Sequence, residues 1–308
     1  MIKDKFEAWE KEARKRFEQL KANEEELNKI FIELYGLQDE LEYHVDDKDV
    51  SVSLADRERD IKSLISYAVG CMFGRYSLDE EGLVFAGGKF DMSRYHKFKP
   101  DKDNILLLTD DEYFQDDESD IVNKFVDFVS VVYGKETLEE NLDYIAEVLP
   151  GSGTNREVIR KYFVSKFFKD HLTTYKKRPI YWQFESGKAN GFKALIYLHR
   201  YDEYLLGNLR TVYLNKLRDA YNSRIELREN QKLTTTNAGE ISRYEKEITK
   251  IKKQLKELRE FDEKLGHLAL QKINLDLDDG VIVNYDKLQR DPITGEKFAI
   301  LAKGVKEP

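Results

Sequence analysis

The sequence predicts a predominantly helical α+β protein, in which a small β-containing region is flanked by helices and a long antiparallel helical hairpin lies near the C-terminus. Two stretches, residues 3–42 and 240–270, place apolar residues three, four or seven positions apart, as one face of a helix does. Residues 176–202 instead contain two short runs of aromatic and β-branched residues separated by turn residues. Charged residues make up 36% of the chain and its mean hydropathy is −0.65, which suits long exposed helices.

The first part of the chain changes from helical to β-type patterning. Residues 60–75 predict a second helix with an apolar centre that contains the single cysteine, Cys71, which we expect to be a buried thiol. Short apolar runs and glycines predict strands and turns over residues 77–98, and one buried strand is expected at 105–108. We divide the chain into a helical connector at 1–76, an α/β region at 77–204, an antiparallel helical hairpin at 205–270, and a C-terminal β-hairpin and tail at 271–308.

Local signals place the helices of the α/β region. The pattern predicts helices at 119–133 and 137–148. Thr154 followed three residues later by Glu157 matches a capping box, so a further helix should begin there and continue to about Leu172.

The C-terminal third predicts a helical hairpin and then a small β-hairpin. Apolar residues at helical spacing over 203–231 and 240–270 are separated by a polar turn at 234–239, which favours two antiparallel helices. An Asp-Gly pair lies between alternating β-type residues at 273–285, which predicts a β-hairpin.

The β-rich stretch has the form of a hairpin that carries positive charge. Its strands are expected at 180–184 and 192–199, and the connection at 185–191 is longer than a tight turn needs, so it should project from the body. Tyr181 and Trp182 point to opposite faces of one strand, so at most one of them faces a ligand. The stretch is either a buried hairpin with solvated lysines or a binding surface.

The distribution of charge favours a binding surface for a polyanion. The net charge of the chain is −8, but residues 101–150 contain 15 acidic and 3 basic residues, whereas residues 151–220 contain 14 basic and 6 acidic residues. A basic block of this kind is typical of a nucleic-acid contact surface. The candidate contact residues are Lys176, Lys177, Arg178, Lys188, Lys193 and Arg200, flanked by Arg156 and Arg160.

No catalytic or metal-binding constellation is evident in the sequence. The five histidines are scattered, and the patterns GxSxG, CxxC and GxxxxGK[ST] do not occur. The acidic stretch lacks EF-hand spacing, and a Mg²⁺-dependent nuclease is a minor alternative that would use Asp110, Asp111, Asp116 and Asp117. No run approaches the roughly 18 apolar residues of a membrane span, so we expect a cytoplasmic protein without a membrane partner.

Several stretches resemble one protein family. They are LNKIFIELYGLQDEL (27–41), DIKSLISYAVGCMFGRYSLDEEGLVFAGG (60–88), TLEENLDYIAEVL (137–149), KRPIYWQFESGKANGFKALIYLHRY (177–201) and LDLDDGVIVNY (275–285). In this order they resemble the C-terminal half of the PglX family of adenine-specific DNA methyltransferases from bacterial BREX phage-exclusion systems, and less closely type IIG restriction-modification proteins. The segment RPIYW (178–182) is the most characteristic piece.

The resemblance implies a division of labour within a longer protein. The family's methyl transfer depends on a glycine-containing S-adenosylmethionine motif and an NPPY tetrapeptide, and neither occurs in this chain. The glycines at 87–88 lack the helix and acidic residue of a cofactor loop. The resemblance therefore implies that S-adenosylmethionine binds in an N-terminal catalytic domain absent from this chain. It also implies that this chain is a non-catalytic portion that contributes target recognition and helical architecture.

Two functional hypotheses follow. The leading one is a double-stranded DNA recognition module of an N6-adenine methyltransferase, because an enzyme that extrudes a base needs a second lobe to hold the duplex. The alternative is a protein-interaction scaffold whose helical hairpin at 205–270 docks other defence-complex subunits or a phage-encoded DNA mimic.

Overall fold

The computed structural model describes residues 1–114 and 117–305 and confirms the predominantly helical α+β class. In chain order the elements are α1 (Ile2–Tyr35), α2 (Arg57–Met72), β1 (Leu106–Leu107), α3 (Ile121–Tyr133), α4 (Leu138–Ala146), α5 (Asn155–Tyr162), α6 (Phe168–Thr174), β2 (Tyr181–Glu185), β3 (Lys193–Tyr197), α7 (Leu205–Asn208), α8 (Asn215–Thr234), α9 (Ala238–Leu270) and α10 (Val281–Lys287). Within the described residues, none of the helices combines the length and apolarity that a membrane crossing requires.

A three-stranded antiparallel sheet lies between the two groups of helices. Its strand order is β1-β3-β2, and Trp182 of β2 pairs with Ile196 of β3. The predicted hairpin is β2 and β3, and the strand expected at 105–108 is the short edge strand β1. Both predictions are confirmed.

Hydrophobic cores cover both faces of this sheet. Because side chains alternate along a strand, Tyr181 and Tyr197 pack against α2 to α6, whereas Trp182 and Ile196 pack against α7 to α9. Tyr181 and Trp182 are both fully buried, so neither ring reaches the surface.

Helix α1 is long, and the rest of the chain covers only part of it. The helix ends at Gly36, whose φ of 69° lies in the left-handed region that glycine adopts without steric cost. It is therefore shorter than the predicted 3–42. Its fully buried side chains, Ile2, Ala13 and Phe17, all belong to its first half.

The capping box predicted before α5 is present. The Glu157 N–H donates to the Thr154 hydroxyl (3.3 Å), and the Thr154 N–H donates to the Glu157 carboxylate (2.7 Å). A π-helical turn at Phe163–Phe167 joins α5 to α6, so the helical path continues two residues beyond the expected end at Leu172.

Helices α8 and α9 form the predicted antiparallel hairpin. The connection begins after Thr234, and the Asn237 side chain caps α9 by accepting the N–H groups of Gly239 and Glu240. The apolar stripe of α9, which includes Ile251 and Leu258, packs in the core beneath the sheet. The four-part division of the chain stays a prediction, although this core contains residues from the second, third and fourth predicted parts.

The prediction of β-structure is wrong in two regions of the chain. Residues 77–98, all of which the structure describes, contain turns and a 3₁₀ turn at Met92–Arg94 but no strand. The Arg94 guanidinium holds this region together by donating to the Glu80 carboxylate and the Val84 carbonyl. The glycines and short apolar runs of this region therefore belong to an irregular, packed segment and not to strands.

The predicted C-terminal hairpin at 273–285 is instead a 3₁₀ turn at Leu277–Asp279 followed by α10. The Asp276 carboxylate accepts the Asp278 N–H, and Gly280, with φ 81°, starts the helix. The Asp-Gly pair therefore opens a helix rather than linking two strands.

Candidate nucleic-acid interface

A basic turn, residues 176–178, connects α6 to β2 and is exposed. Its backbone is fixed, because the Lys177 N–H donates to the Leu172 carbonyl (2.7 Å) and the Arg178 N–H donates to the Tyr175 carbonyl (2.9 Å). Lys176 and Lys177 have φ values of 51° and 61° in the left-handed region. Within the part of the chain that the structure describes, none of the three basic side chains forms an ion pair. The turn therefore presents three adjacent cations to solvent from a defined backbone.

A cleft of about 600 Å³ opens beside this turn, between α2 and α6. Its lining combines aromatic side chains, including Tyr67, Tyr76 and Tyr162, with charged ones of both signs, among them Lys62 and Asp170. His171 also lines the cleft and accepts the Tyr181 N–H at Nε2 (3.1 Å). Burial, with a smaller contribution from a nearby guanidinium, lowers the pKa of His171 to about 3, so its imidazole is neutral at physiological pH.

The connection between β2 and β3 lies on α9 and does not project as expected. The Glu257 carboxylate of α9 accepts three hydrogen bonds from it: the Ser186 hydroxyl (2.6 Å), the Ala189 N–H (2.8 Å) and the Gly191 N–H (2.9 Å). A Cβ on Gly191 would lie 2.6 Å from the Gln254 carbonyl oxygen, so this close approach requires glycine. The prediction of a projecting loop is therefore wrong.

The same contact places Lys188 at a second basic surface. Lys188 is exposed, and its neighbour Ala189 lines a shallow depression together with Lys246, Lys250 and Lys253 of α9. Lys250 pairs with the Asp110 carboxylate (2.7 Å). These α9 lysines are not among the contact residues predicted from the sequence, although their spacing of four and three residues places them on one helical face.

Two predicted contact residues are buried. The Arg160 guanidinium donates to the Asp120 carboxylate (2.7 and 3.2 Å), and the side chain of Arg160 is only 8% exposed. The Lys193 ammonium donates to the Val164 carbonyl (3.0 Å) and lies 3.7 Å from the Glu185 carboxylate. The prediction that Arg160 and Lys193 belong to the contact surface is wrong, because both side chains use their charge inside the fold.

Arg200 is also committed to the fold. Its guanidinium donates to the carbonyls of Phe73 (3.2 Å), Asp101 (2.8 Å) and Lys102 (3.1 Å), and stacks on the Phe90 ring at 3.8 Å. Burial lowers its pKa. Arg200 therefore fastens loops together and does not offer its charge to a ligand.

Arg156 is accessible but paired. Its guanidinium makes two hydrogen bonds to the Glu139 carboxylate, at 2.7 and 2.8 Å. These bonds lower the pKa of Glu139 to about 2. Arg156 would have to leave this carboxylate before it contacted a phosphate.

The acidic and basic blocks of the sequence neutralise each other in part. Carboxylates from residues 101–150 pair with cations from the basic block and from the helical hairpin. These pairs are Glu139–Arg156, Asp120–Arg160, Asp117–Lys216, Asp111–Arg224 and Asp110–Lys250. The excess of positive charge that the sequence indicates is therefore larger than the positive charge available on the surface.

Three of the four carboxylates of the nuclease alternative take part in these ion pairs. Asp110, Asp111 and Asp117 each lie against a cation, and Asp116 lies outside the described residues. Across residues 1–114 and 117–305, no group of three or more His, Cys, Asp or Glu side chains has a metal-binding arrangement.

Two curated relatives align with most of the chain. The adenine-specific methyltransferase PglX of Lacticaseibacillus casei (strain Zhang) is 53% identical over 292 residues, which represent 93% of this chain and 24% of that protein. The adenine-specific methyltransferase BrxX of Escherichia coli O9:H4 (strain HS) is 40% identical over 302 residues, 89% of this chain and 25% of that protein. No family model matches the sequence. The chain spans about a quarter of the length of these relatives, and over that quarter it is similar in sequence to these two adenine-specific methyltransferases.

Proposed function

We propose that this chain is the portion of a BREX adenine-specific methyltransferase that holds double-stranded DNA, and that the basic turn at 176–178 is its principal contact. The supporting observation is that this turn presents three exposed cations on a fixed backbone, without an ion-pair partner among the described residues. Most of the other cations predicted for this role are used within the fold.

General physical chemistry supports this role. A protein that modifies a base inside a duplex must extrude that base, and the duplex must stay in register during extrusion. Lysine and arginine contacts to phosphates provide that grip and carry no sequence information themselves. The basic turn suits such a grip.

A second contact region is proposed at the opposite end of the β2–β3 hairpin, where Ala189, the neighbour of the exposed Lys188, lines a depression with Lys246 and Lys253. Strand β2 has five residues, so the two ends are on the order of 17 Å apart. That separation is somewhat larger than the roughly 12 Å width of a DNA major groove. The two regions together would hold a duplex at two places.

Methyl transfer itself is proposed to occur outside this chain. S-adenosylmethionine binding and the catalytic residues are assigned to the portion of the family's proteins that this chain does not represent. This chain is proposed to be non-catalytic, and its cytoplasmic location stays a prediction.

The scaffold alternative, in which the helical hairpin at 205–270 docks other proteins, has less support. The apolar face of α9 that suggested a docking surface is buried in this chain's own core. A phage protein that imitates the charge of DNA would contact the same exposed cations as DNA. Docking of such a protein is therefore a variant of the proposal rather than a separate surface.

Fluorescence anisotropy with a labelled DNA duplex tests the proposal. Binding should weaken steeply as salt increases. The triple variant Lys176→Ala/Lys177→Ala/Arg178→Ala should lower the slope of log K against log salt by roughly 2–3, since each phosphate contact contributes about 0.9.

A matched control removes the same charge from α1, with Lys5→Ala/Lys11→Ala/Lys15→Ala, and should leave the slope nearly unchanged. Equal losses in both variants would mean that only total charge matters. Binding that does not depend on salt would contradict the proposal directly.

A further inference from the structure

The second half of α1 exposes an apolar stripe. Five large side chains on it are half or more exposed, which is unusual for a contiguous group of this kind. They are Leu27 (52%), Ile30 (53%), Phe31 (51%), Leu34 (71%) and Tyr35 (69%). At 100° per residue these positions fall within an arc of about 140°, so they form one face of the helix.

This stripe continues the face that the first half of α1 buries. On the same helical projection, Ile2, Ala13 and Phe17 fall within the arc occupied by the five exposed residues. Those three side chains are buried against the body of the protein. The buried apolar residues of the first half thus lie on the same side of the helix as the exposed stripe, although Trp9, on that side of the first half, is 40% exposed.

The segment that follows α1 packs beside the stripe and leaves it open. It contacts the helix through Lys21, whose ammonium pairs with Asp47 (2.7 Å), and through Glu25, which accepts the Val45 N–H (3.2 Å). Lys21 and Glu25 project outside the arc of the stripe.

We infer that the apolar stripe of α1 docks the portion of the methyltransferase that this chain does not represent. The curated relatives are about four times as long as the matched segment, so three quarters of a family protein lies outside it. An amphipathic helix that lays its apolar face in a groove is a common mode of protein recognition. The stripe offers DNA phosphates no charge, so this surface is distinct from the basic turn.

Thiol labelling in two settings tests this inference. Leu34→Cys is placed in the isolated chain and in a full-length protein in which this chain replaces the aligned segment of the Lacticaseibacillus casei PglX. The native Cys71 stays silent, because burial raises the pKa of its thiol to about 12. Maleimide labelling of the Leu34→Cys thiol, followed by mass spectrometry of its peptide, should be about tenfold slower in the full-length protein, since exposure controls thiol reactivity.

The matched control is Leu233→Cys, at a leucine that is 81% exposed near the end of α8. Its labelling rate should differ by less than about twofold between the two settings. Tyr35→Cys provides a second reading on the stripe itself. Equal rates for the stripe thiols in both settings would overturn the inference.

A second copy of this chain is the competing occupant. Light scattering on the isolated chain should give a monomer. A dimer that becomes monomeric in Leu34→Asp would also overturn the inference, because the stripe would then be a self-association surface. Although the inference rests on the family assignment, its readout is independent of DNA affinity, so failure of the basic turn to bind DNA would not alter the labelling ratio.

Discussion

Arg160 and the basic turn at 176–178 belong to the same basic stretch of sequence, yet they occupy opposite environments. Arg160 lies in the interior against Asp120, a carboxylate 40 positions earlier in the chain. The turn lies in solvent and is shaped by local backbone hydrogen bonds. A count of charges along the sequence treats the two alike, whereas the fold gives one a structural role and leaves the other available to a ligand.

This difference shows how to separate structural from binding cations. An arginine with a buried carboxylate partner affects the free energy of unfolding, and an exposed lysine without a partner affects the salt dependence of DNA binding. The first of the following predictions tests this distinction directly, and the others test further polar contacts of the fold.

The largest effect is expected at the buried ion pair. Arg160→Met leaves Asp120 buried without its cation, which should lower the free energy of unfolding by about 3–5 kcal/mol. Urea denaturation measures the change. Asp120→Asn in the same chain should recover part of the loss, because the amide retains an oxygen for capping α3 and removes the unpaired charge.

The exposed counterpart is Arg178→Met, which should change stability by less than about 0.5 kcal/mol. If the two arginine variants were equally stable, the assignment of a structural role to Arg160 alone would be wrong.

A smaller effect is expected from acid, through His171 at the cleft. Its pKa is about 3 in the fold and about 6.5 in the unfolded chain, so below pH 6.5 the unfolded state binds a proton that the folded state does not. Stability should therefore fall by about 1.4 kcal/mol per pH unit from pH 6.5 toward pH 3, or about 2 kcal/mol at pH 5. Above pH 6.5 this group contributes no pH dependence.

His171→Gln keeps an acceptor for the Tyr181 N–H and removes the titration. The difference in unfolding free energy between pH 7 and pH 5 should be smaller in this variant than in the wild type. Identical pH profiles would show that His171 does not cause the loss.

The smallest effect is expected at the clamped end of the hairpin. Glu257→Ala removes the acceptor of three hydrogen bonds and should cost about 1–2 kcal/mol. Amide hydrogen exchange at Ala189 and Gly191 should become faster, while exchange in the basic turn stays the same. Glu260→Ala, an exposed change on the same helix, serves as the control, and a similar effect there would remove the case for a specific clamp.

Features set by neighbouring residues could be predicted from sequence. Thr154 and Glu157 fix the start of α5 within one turn, and the periodicity of α9 reflects its one buried face. The hairpin strands were evident from their aromatic and β-branched composition.

Features set by distant residues could not be predicted. Glu257 holds the hairpin connection from 66 or more positions away, and no local pattern in the connection indicates that contact. The pairing of Arg160 with Asp120 likewise depends on how α3 and α5 meet. At 273–285 the alternation of apolar residues is compatible with a strand, whereas the structure has a 3₁₀ turn capped by Asp276 and then α10, whose N-cap is Gly280.

The length of helix α1 links the orientation of its buried first half to the orientation of its exposed second half. With 34 residues it extends roughly 50 Å, and every inserted residue rotates all that follows by about 100°. One extra residue between Phe17 and Leu27 would turn the exposed stripe away from the direction set by the buried one. Insertions or deletions in this interval should therefore be tolerated mainly near whole numbers of turns. The length of α1 thus sets the direction in which the proposed docking surface faces.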